Sequence, residues 1–249
     1  MSIKPVTGKT GRYYPVDNQK MPSVTTVLNI VGGKNLITWA VNEACDYMEM
    51  ELNKCKPHEV HLVLPDILIM ARKRHRIIRD SAGRRGSDVH RIAETLFKGR
   101  KVPEDRLSDP FVAKVVNNLE NWIDENGFEP LTFTNEIGAE EPSVEMTVYS
   151  KEHGFAGTAD LIGKNKAGKL MLVDLKTGKS VHKTMEVQCA AYSKAYEEMF
   201  GAPLNKCVVL HVLPSGNVKE KLPLSKKQIE HRYSKFLSLL DFYKWYGDE

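Results

Sequence analysis

The chain has 249 residues, 41% apolar and 27% charged, a balance that suits a soluble globular protein with one sizeable core. It contains no apolar run of about 18 residues, so a membrane-spanning helix is excluded. The opening MSIKPVTGKTGRYYP has neither the apolar core of a secretory signal nor the amphipathic pattern of an organelle transit peptide. The formal charge is only +4. It is unevenly placed, however: Arg72 to Lys101 is crowded with arginines and lysines and opposed only by Asp80, Asp88 and Glu94. Such a block reads either as a polyanion contact or as a solvated helix face. Cys45, Cys55, Cys189 and Cys207 are widely spaced without a Cys-x-x-Cys pair, which fits free thiols in a reducing compartment. The expected location is cytoplasmic, in a bacterial or phage-infected host cell.

Residues 1–21 read as irregular. Pro22-Ser23 opens a helical pattern that stops at Gly32-Gly33. Helical periodicity covers 36–53, then His58 to about Arg79, with a break at Gly83 and Gly86, then Ser87 to Phe97 and Leu107 to Asn126, with Gly127 as the stop. No strand signal precedes residue 131. Short β-prone segments follow at 131–138, 143–149, 155–163 and 169–176, the last two joined by a turn at Asn165–Gly168. An amphipathic helix is predicted over 184–200, strands over Cys207–Leu213 and Val218–Leu222, and a helix capped by Ser225 that runs to about Tyr246. Helices first, then strands with a helix between them, make an α+β domain. It divides into a mostly helical part, 1–130, and an α/β core, 131–249, within one integrated domain.

The chemistry concentrates between Gly154 and Lys176. Asp160 and Asp174 each sit at or near the end of an apolar strand, and Lys176 shares a face with Asp174 because residues i and i+2 of a strand point the same way. A buried carboxylate needs a partner, and a local Asp174–Lys176 ion pair would supply one without any function. The second aspartate and the small residues Gly154, Ala156, Gly157, Thr158 and Ala159 go beyond that, since they leave room for a close approach. Two carboxylates and an ammonium suffice to hold a hard divalent cation and polarise a phosphodiester. Glu145, between Val144 and Met146, points away from the apolar face and is placed to support such a site through water. Gln188 and Tyr192 share a helix face.

The order Arg85-Gly86-Ser87-Asp88-Val89-His90, Gly157-x-x-Asp160, Asp174-x-Lys176 and Gln188-x-x-x-Tyr192 resembles the PD-(D/E)xK nuclease superfamily, within it the RecB-type branch. It is similar to the mitochondrial genome maintenance exonuclease and related phage exonucleases, as are Pro22–Leu28 and Trp39-Ala40. The third motif is Asp-x-Lys where Glu-x-Lys is also accepted. The resemblance implies a restriction-endonuclease-like core, a mixed sheet flanked by helices, behind a helical N-terminal part. It implies Mg²⁺ or Mn²⁺ held by His90, Asp160, Asp174 and the Leu175 backbone carbonyl, and a catalytic set of Asp160, Asp174, Lys176, Gln188 and Tyr192. Lys176 would orient the attacking water or stabilise developing charge. Arg84, Arg85, Thr177, Gln188 and Tyr192 would contact nucleic acid, and Tyr13, Tyr14 and Trp39 are candidates for base stacking, although helix packing is the use that better fits Trp39.

Gly8-Lys9-Thr10 and Gly178-Lys179-Ser180 are not phosphate loops, because Ile3 and Val173 stand where the loop needs glycine. The cysteines lie too far apart in the predicted elements for an iron–sulfur cluster. The expected activity is metal-dependent exonucleolytic hydrolysis of single-stranded DNA or DNA ends, as befits replication, recombination or repair. Three alternatives stand beside it: a structure-specific endonuclease of the same fold, a catalytically silent nucleic-acid-binding module, and a structural protein whose Asp and Lys residues form a buried ion network.

Overall fold

The computed structural model describes residues 3–32, 36–134 and 138–247. Contacts divide the chain into two compact units, Met1–Ile30 with Asp88–Glu249, and Val31–Ser87.

The segment expected to be irregular holds three strands, β1 (Val6–Gly8), β2 (Gly11–Val16) and β3 (Gln19–Pro22), paired antiparallel in that order. The β2–β3 turn places Asp17 and Asn18 at φ 46° and 63°, the left-handed pair of a tight hairpin, which Asp and Asn tolerate. Strands this short, with Pro15 inside one of them, leave little alternation to read. Helix α1 (Val24–Gly32) begins as expected, with Ser23 Oγ accepting from the Thr26 N–H at 3.0 Å. Thr26 Oγ1 in turn accepts from the Arg12 N–H and donates to the Arg12 carbonyl, both at 3.0 Å, clamping α1 to β2. The expected stop at Gly33 lies outside the described residues.

Helix α2 (Leu36–Leu52) has no fully buried side chain. Helix α3 (Val60–Phe97) is continuous through Gly83 and Gly86, where a break was expected. Each glycine costs a helix only about 1 kcal/mol, and Ser87 Oγ donates to the Gly83 carbonyl across the junction. The next helical stretch divides into α4 (Glu104–Leu107) and α5 (Pro110–Asn126), because Pro110 must open a helix rather than continue one. Asp109 caps α5, and Gly127 closes it at φ 54°.

The core follows: β4 (Glu129–Pro130), a small β5 (Thr132–Thr134) and β6 (Glu140–Pro142) pair, β7 (Val144–Ser150), β8 (Phe155–Lys164), β9 (Leu170–Lys176), α6 (Lys183–Phe200), β10 (Lys206–Val212), β11 (Val218–Ser225) and α7 (Lys226–Gly247). The strand expected over 131–138 is described only as β5, residues 135–137 lying outside the described ones. The main sheet runs β11-β10-β9-β8-β4 with β7 also on β8, and β9–β10 is its parallel step, as α6 between them requires. This is the expected mixed sheet flanked by helices.

Each face carries its own core. On one, Ile162, Leu172 and Val209 pack with Cys189, Ala191 and Tyr192 of α6 and Phe236 of α7. On the other, Leu161, Val173 and Leu210 pack with Val89 and Ile92 of α3 and Val115 and Leu119 of α5. Phe236 is fully buried, its ring edge-on to Phe155 at 4.7 Å. Phe236→Ala is expected to cost about 3–5 kcal/mol, read as a lower urea midpoint with unchanged slope.

Candidate metal centre

The β8–β9 ladder pairs Lys164 with Leu170 and ends at Leu161 with Val173. One further step would set Asp160 against Asp174. The strands part there instead, and Asp160 Oδ2 accepts the Leu175 N–H at 2.6 Å. The carboxylate takes over a backbone partner that the ladder has left.

The β7–β8 ladder is interrupted at the same level. Val144 pairs with Leu161 and Met146 with Ala159, so the register is kept while the Glu145–Asp160 pair is skipped. Glu145 has φ 52°, a strained value for a residue with a side chain. Both strands change face at this point. Val144 and Leu161 belong to the α3/α5 core, whereas Met146 and Ala159 belong to the α6/α7 core. A regular strand would keep Val144 and Met146 together. The paired irregularity turns Glu145 and Asp160 toward His90 of α3, whose Nδ1 lies 3.2 Å from Glu145 Oε1 and 3.5 Å from Asp160 Oδ1. One ligand atom from each of the three falls within 4.8 Å of the others.

Asp174 is 1% exposed. Lys176 Nζ donates to its Oδ1 at 2.8 Å and lies 2.7 Å from its Oδ2, and Gln188 Nε2 donates to Oδ1 at 3.1 Å. The Oδ2 contact is ionic without hydrogen-bond alignment, so Oδ2 is a buried acceptor with no hydrogen bond. The imidazole and two carboxylates of His90, Glu145 and Asp160 suit a hard divalent cation, and Asp174 lies outside that group, its Oδ2 paired with the Lys176 ammonium.

Glu145, expected to support the site through water, stands beside His90 and Asp160. Its signal was a lone acid in an apolar strand, and the backbone turn that aims it left no trace in the residue pattern. Gln188 donates to the Tyr192 hydroxyl at 3.2 Å as well as to Asp174. The Tyr192 ring lies over Gly157, where an added Cβ would overlap it. That close approach explains the glycine of Gly-x-x-Asp. The structure thus places Tyr192 in the core rather than on a surface open to nucleic acid, and Gln188 on Asp174. Tyr14 is also fully buried, its hydroxyl 2.8 Å from Thr158 Oγ1, and offers no face to a base. Tyr13 is half-buried, and Trp39 Nε1 donates to Glu43 at 2.9 Å within the smaller unit. Thr177 follows β9 half-buried, and Arg84 and Arg85 lie within the smaller unit, Arg84 exposed and Arg85 half-buried. Asp88 pairs with Arg91 and Arg106.

The cluster retains protons. Burial, then the Asp174 charge, raise Asp160 from 3.8 to about 7. Burial opposes a charged His90, but the Glu145 hydrogen bond and the Asp160 charge outweigh it and raise its pKa.

The family model for the PD-(D/E)XK nuclease superfamily matches residues 70–238. No curated protein matches. Among solved structures, the crystal structure of SSO0001 is similar at 17% identity and a TM-score of 0.24, over 49% of this chain. The chain spans only 56% of that protein's length.

Between pH 4 and 7 the folded metal-free protein holds a proton on Asp160 that the unfolded chain releases near 3.8. Its stability therefore falls as pH rises through that window. Asp160→Asn is expected to remove this slope, raising the urea midpoint over wild type at pH 8 and narrowing the gap at pH 5, with chelator present throughout.

Proposed function

The chain belongs to the PD-(D/E)XK nuclease superfamily, and from that premise we propose that it is a Mg²⁺- or Mn²⁺-dependent DNA exonuclease of the RecB-type branch, acting on single strands or ends. The observation that carries this reading is the convergence of His90, Glu145 and Asp160 beside an Asp174 whose Oδ2 has no hydrogen bond. His90, Glu145, Asp160 and Asp174 would hold the cation, with the carbonyl of Leu175, the residue after Asp174, as the further ligand that the family resemblance implies. The bound cation would neutralise phosphate charge and acidify a water molecule.

The chain's own residues do the rest. Lys176 is held charged: burial works against the ammonium, but Asp174 and Asp160 outweigh it and raise its pKa. A fixed cation at that place steadies negative charge developing on phosphate oxygens, or orients the water that attacks. Gln188 acts through Asp174, fixing the carboxylate's rotamer, and Tyr192 fixes Gln188 in turn. Both are positioning residues. Sequence-independent binding to DNA is supported by α3, where Arg72, Lys73, Arg76 and Arg84 are exposed and have no carboxylate partner among the described residues.

The test uses labelled single- and double-stranded DNA, linear and circular, with Mg²⁺, Mn²⁺ or chelator. Metal-dependent degradation of linear DNA is expected, with Asp174→Asn and Lys176→Ala each lowering the rate by about 100-fold or more. No metal-dependent cleavage of any substrate sinks the enzyme reading and leaves a silent binding module. Cleavage of closed circles rejects the exonuclease assignment in favour of an endonuclease.

A further inference from the structure

A cavity of about 410 Å³ opens on the α6 side of the sheet, in the larger unit. Lys219 and Lys221 of β11, His211 of β10 and Ser180 of the β9–α6 loop give it polar walls, and no carboxylate lines it. Val181, Leu213 and Leu222 close it with apolar surface. Neither lysine has a carboxylate partner among the described residues. The strand between them sends Glu220 to Lys206 instead, at 2.6 Å.

The sheet register ties this cavity to the metal centre. Lys176 of β9 stands beside His211 of β10, and His211 stands opposite Lys219 of β11. Val209, two residues before His211, lies in the α6/α7 core beside Asp174, so the row Lys176–His211–Lys219 lies on the face that carries the Asp174 carboxylate. Two strand spacings separate its ends, about 10 Å. The loop between the two places is held in position: His211 Nε2 donates to the Gly178 carbonyl at 2.7 Å from a buried ring. The cavity's outer wall is formed irregularly. The β10–β11 register shifts between Cys207 and Val209, and Leu222 has φ 47°. This bulge is a second strained, non-glycine residue in the main sheet, and it sits at the cavity as Glu145 sits at the metal centre.

We propose that this cavity is a phosphate subsite for the same substrate strand. Lys219 and Lys221 take a phosphate two strand spacings, about 10 Å, from Lys176, and the apolar wall lies against the attached nucleoside. The proposal rests on the nuclease reading for the identity of the strand. A terminal phosphomonoester and an internal phosphodiester share the chemistry that the lysines recognise.

The test is the paired variant Lys219→Glu/Lys221→Glu, with Lys219→Gln/Lys221→Gln as a milder companion. Both positions are exposed on an edge strand, and circular dichroism melts check the fold. Binding is read in EDTA, by anisotropy, with internally labelled single-stranded oligonucleotides of one sequence ending in 5′-phosphate, 3′-phosphate or hydroxyls. The charge reversal is expected to weaken binding by about tenfold or more, and the Gln pair to lower the log–log salt slope by about 1.4, for two lost contacts. A loss confined to one phosphorylated end assigns the subsite to a terminal phosphate, and an equal loss on all three assigns it to an internal one. Affinities and salt slopes matching wild type overturn the subsite. The two readings fail separately: wild type that cleaves while the variants bind normally refutes the subsite alone, and wild type that never cleaves while the variants lose binding refutes the nuclease alone.

Discussion

Two carboxylates brought level on adjacent strands, inside a folded core, are the constraint around which this protein is arranged. Asp160 and Asp174 would repel each other and resist burial if left alone. Each is therefore given its own set of partners. Asp160 takes a backbone N–H from Leu175 and faces His90, and Asp174 takes Lys176 and Gln188. The ladder between β8 and β9 stops one step short of the pair because an unbroken one would have claimed the Leu175 N–H. What remains is a site with surplus negative charge, kept in check by retained protons. A divalent cation satisfies the same requirement, and must displace those protons to bind.

The surroundings serve this arrangement by getting out of the way. Gly157 leaves the space that the Tyr192 ring fills, and Ala190, Ala191 and Ala195 let α6 lie close on the sheet. Tyr192 can then reach Gln188, and Gln188 can reach Asp174. The Ser23 and Thr26 hydroxyls do similar work at the other end, joining α1 to β2 and setting Tyr14 against Thr158, two residues before Asp160.

Much of this could be read from residue order. The β8–β9 hairpin, α6 and the parallel β10 follow from apolar runs of strand length and a clear helical period. Asp160, Asp174 and Lys176 declare themselves as charges in apolar strands. Three things escaped, each for a physical reason. The β1–β3 sheet is too short for alternation to stand out and gains its stability by packing Tyr14, Val16 and Met21 on Ala156 of β8. Helix α3 runs through two glycines because their cost is small beside that of a long helix's remaining hydrogen bonds. The place of Glu145 depends on a backbone turn that no side-chain pattern encodes, so its sequence shows only an exposed acid.

The change of face at Glu145 and Asp160 also bears on the order in which the molecule can be built. Because β7 and β8 both change face there, the candidate metal centre depends on both helical layers. The α6/α7 layer fixes the strands on one side of that change, and the α3/α5 layer fixes them on the other while delivering His90. A chain with only one layer docked has nothing to hold the strands on both sides of it, and its carboxylates stay apart. The centre is thus a product of complete folding, and partly folded chains carry the acidic residues without the geometry that makes them a single ligand set.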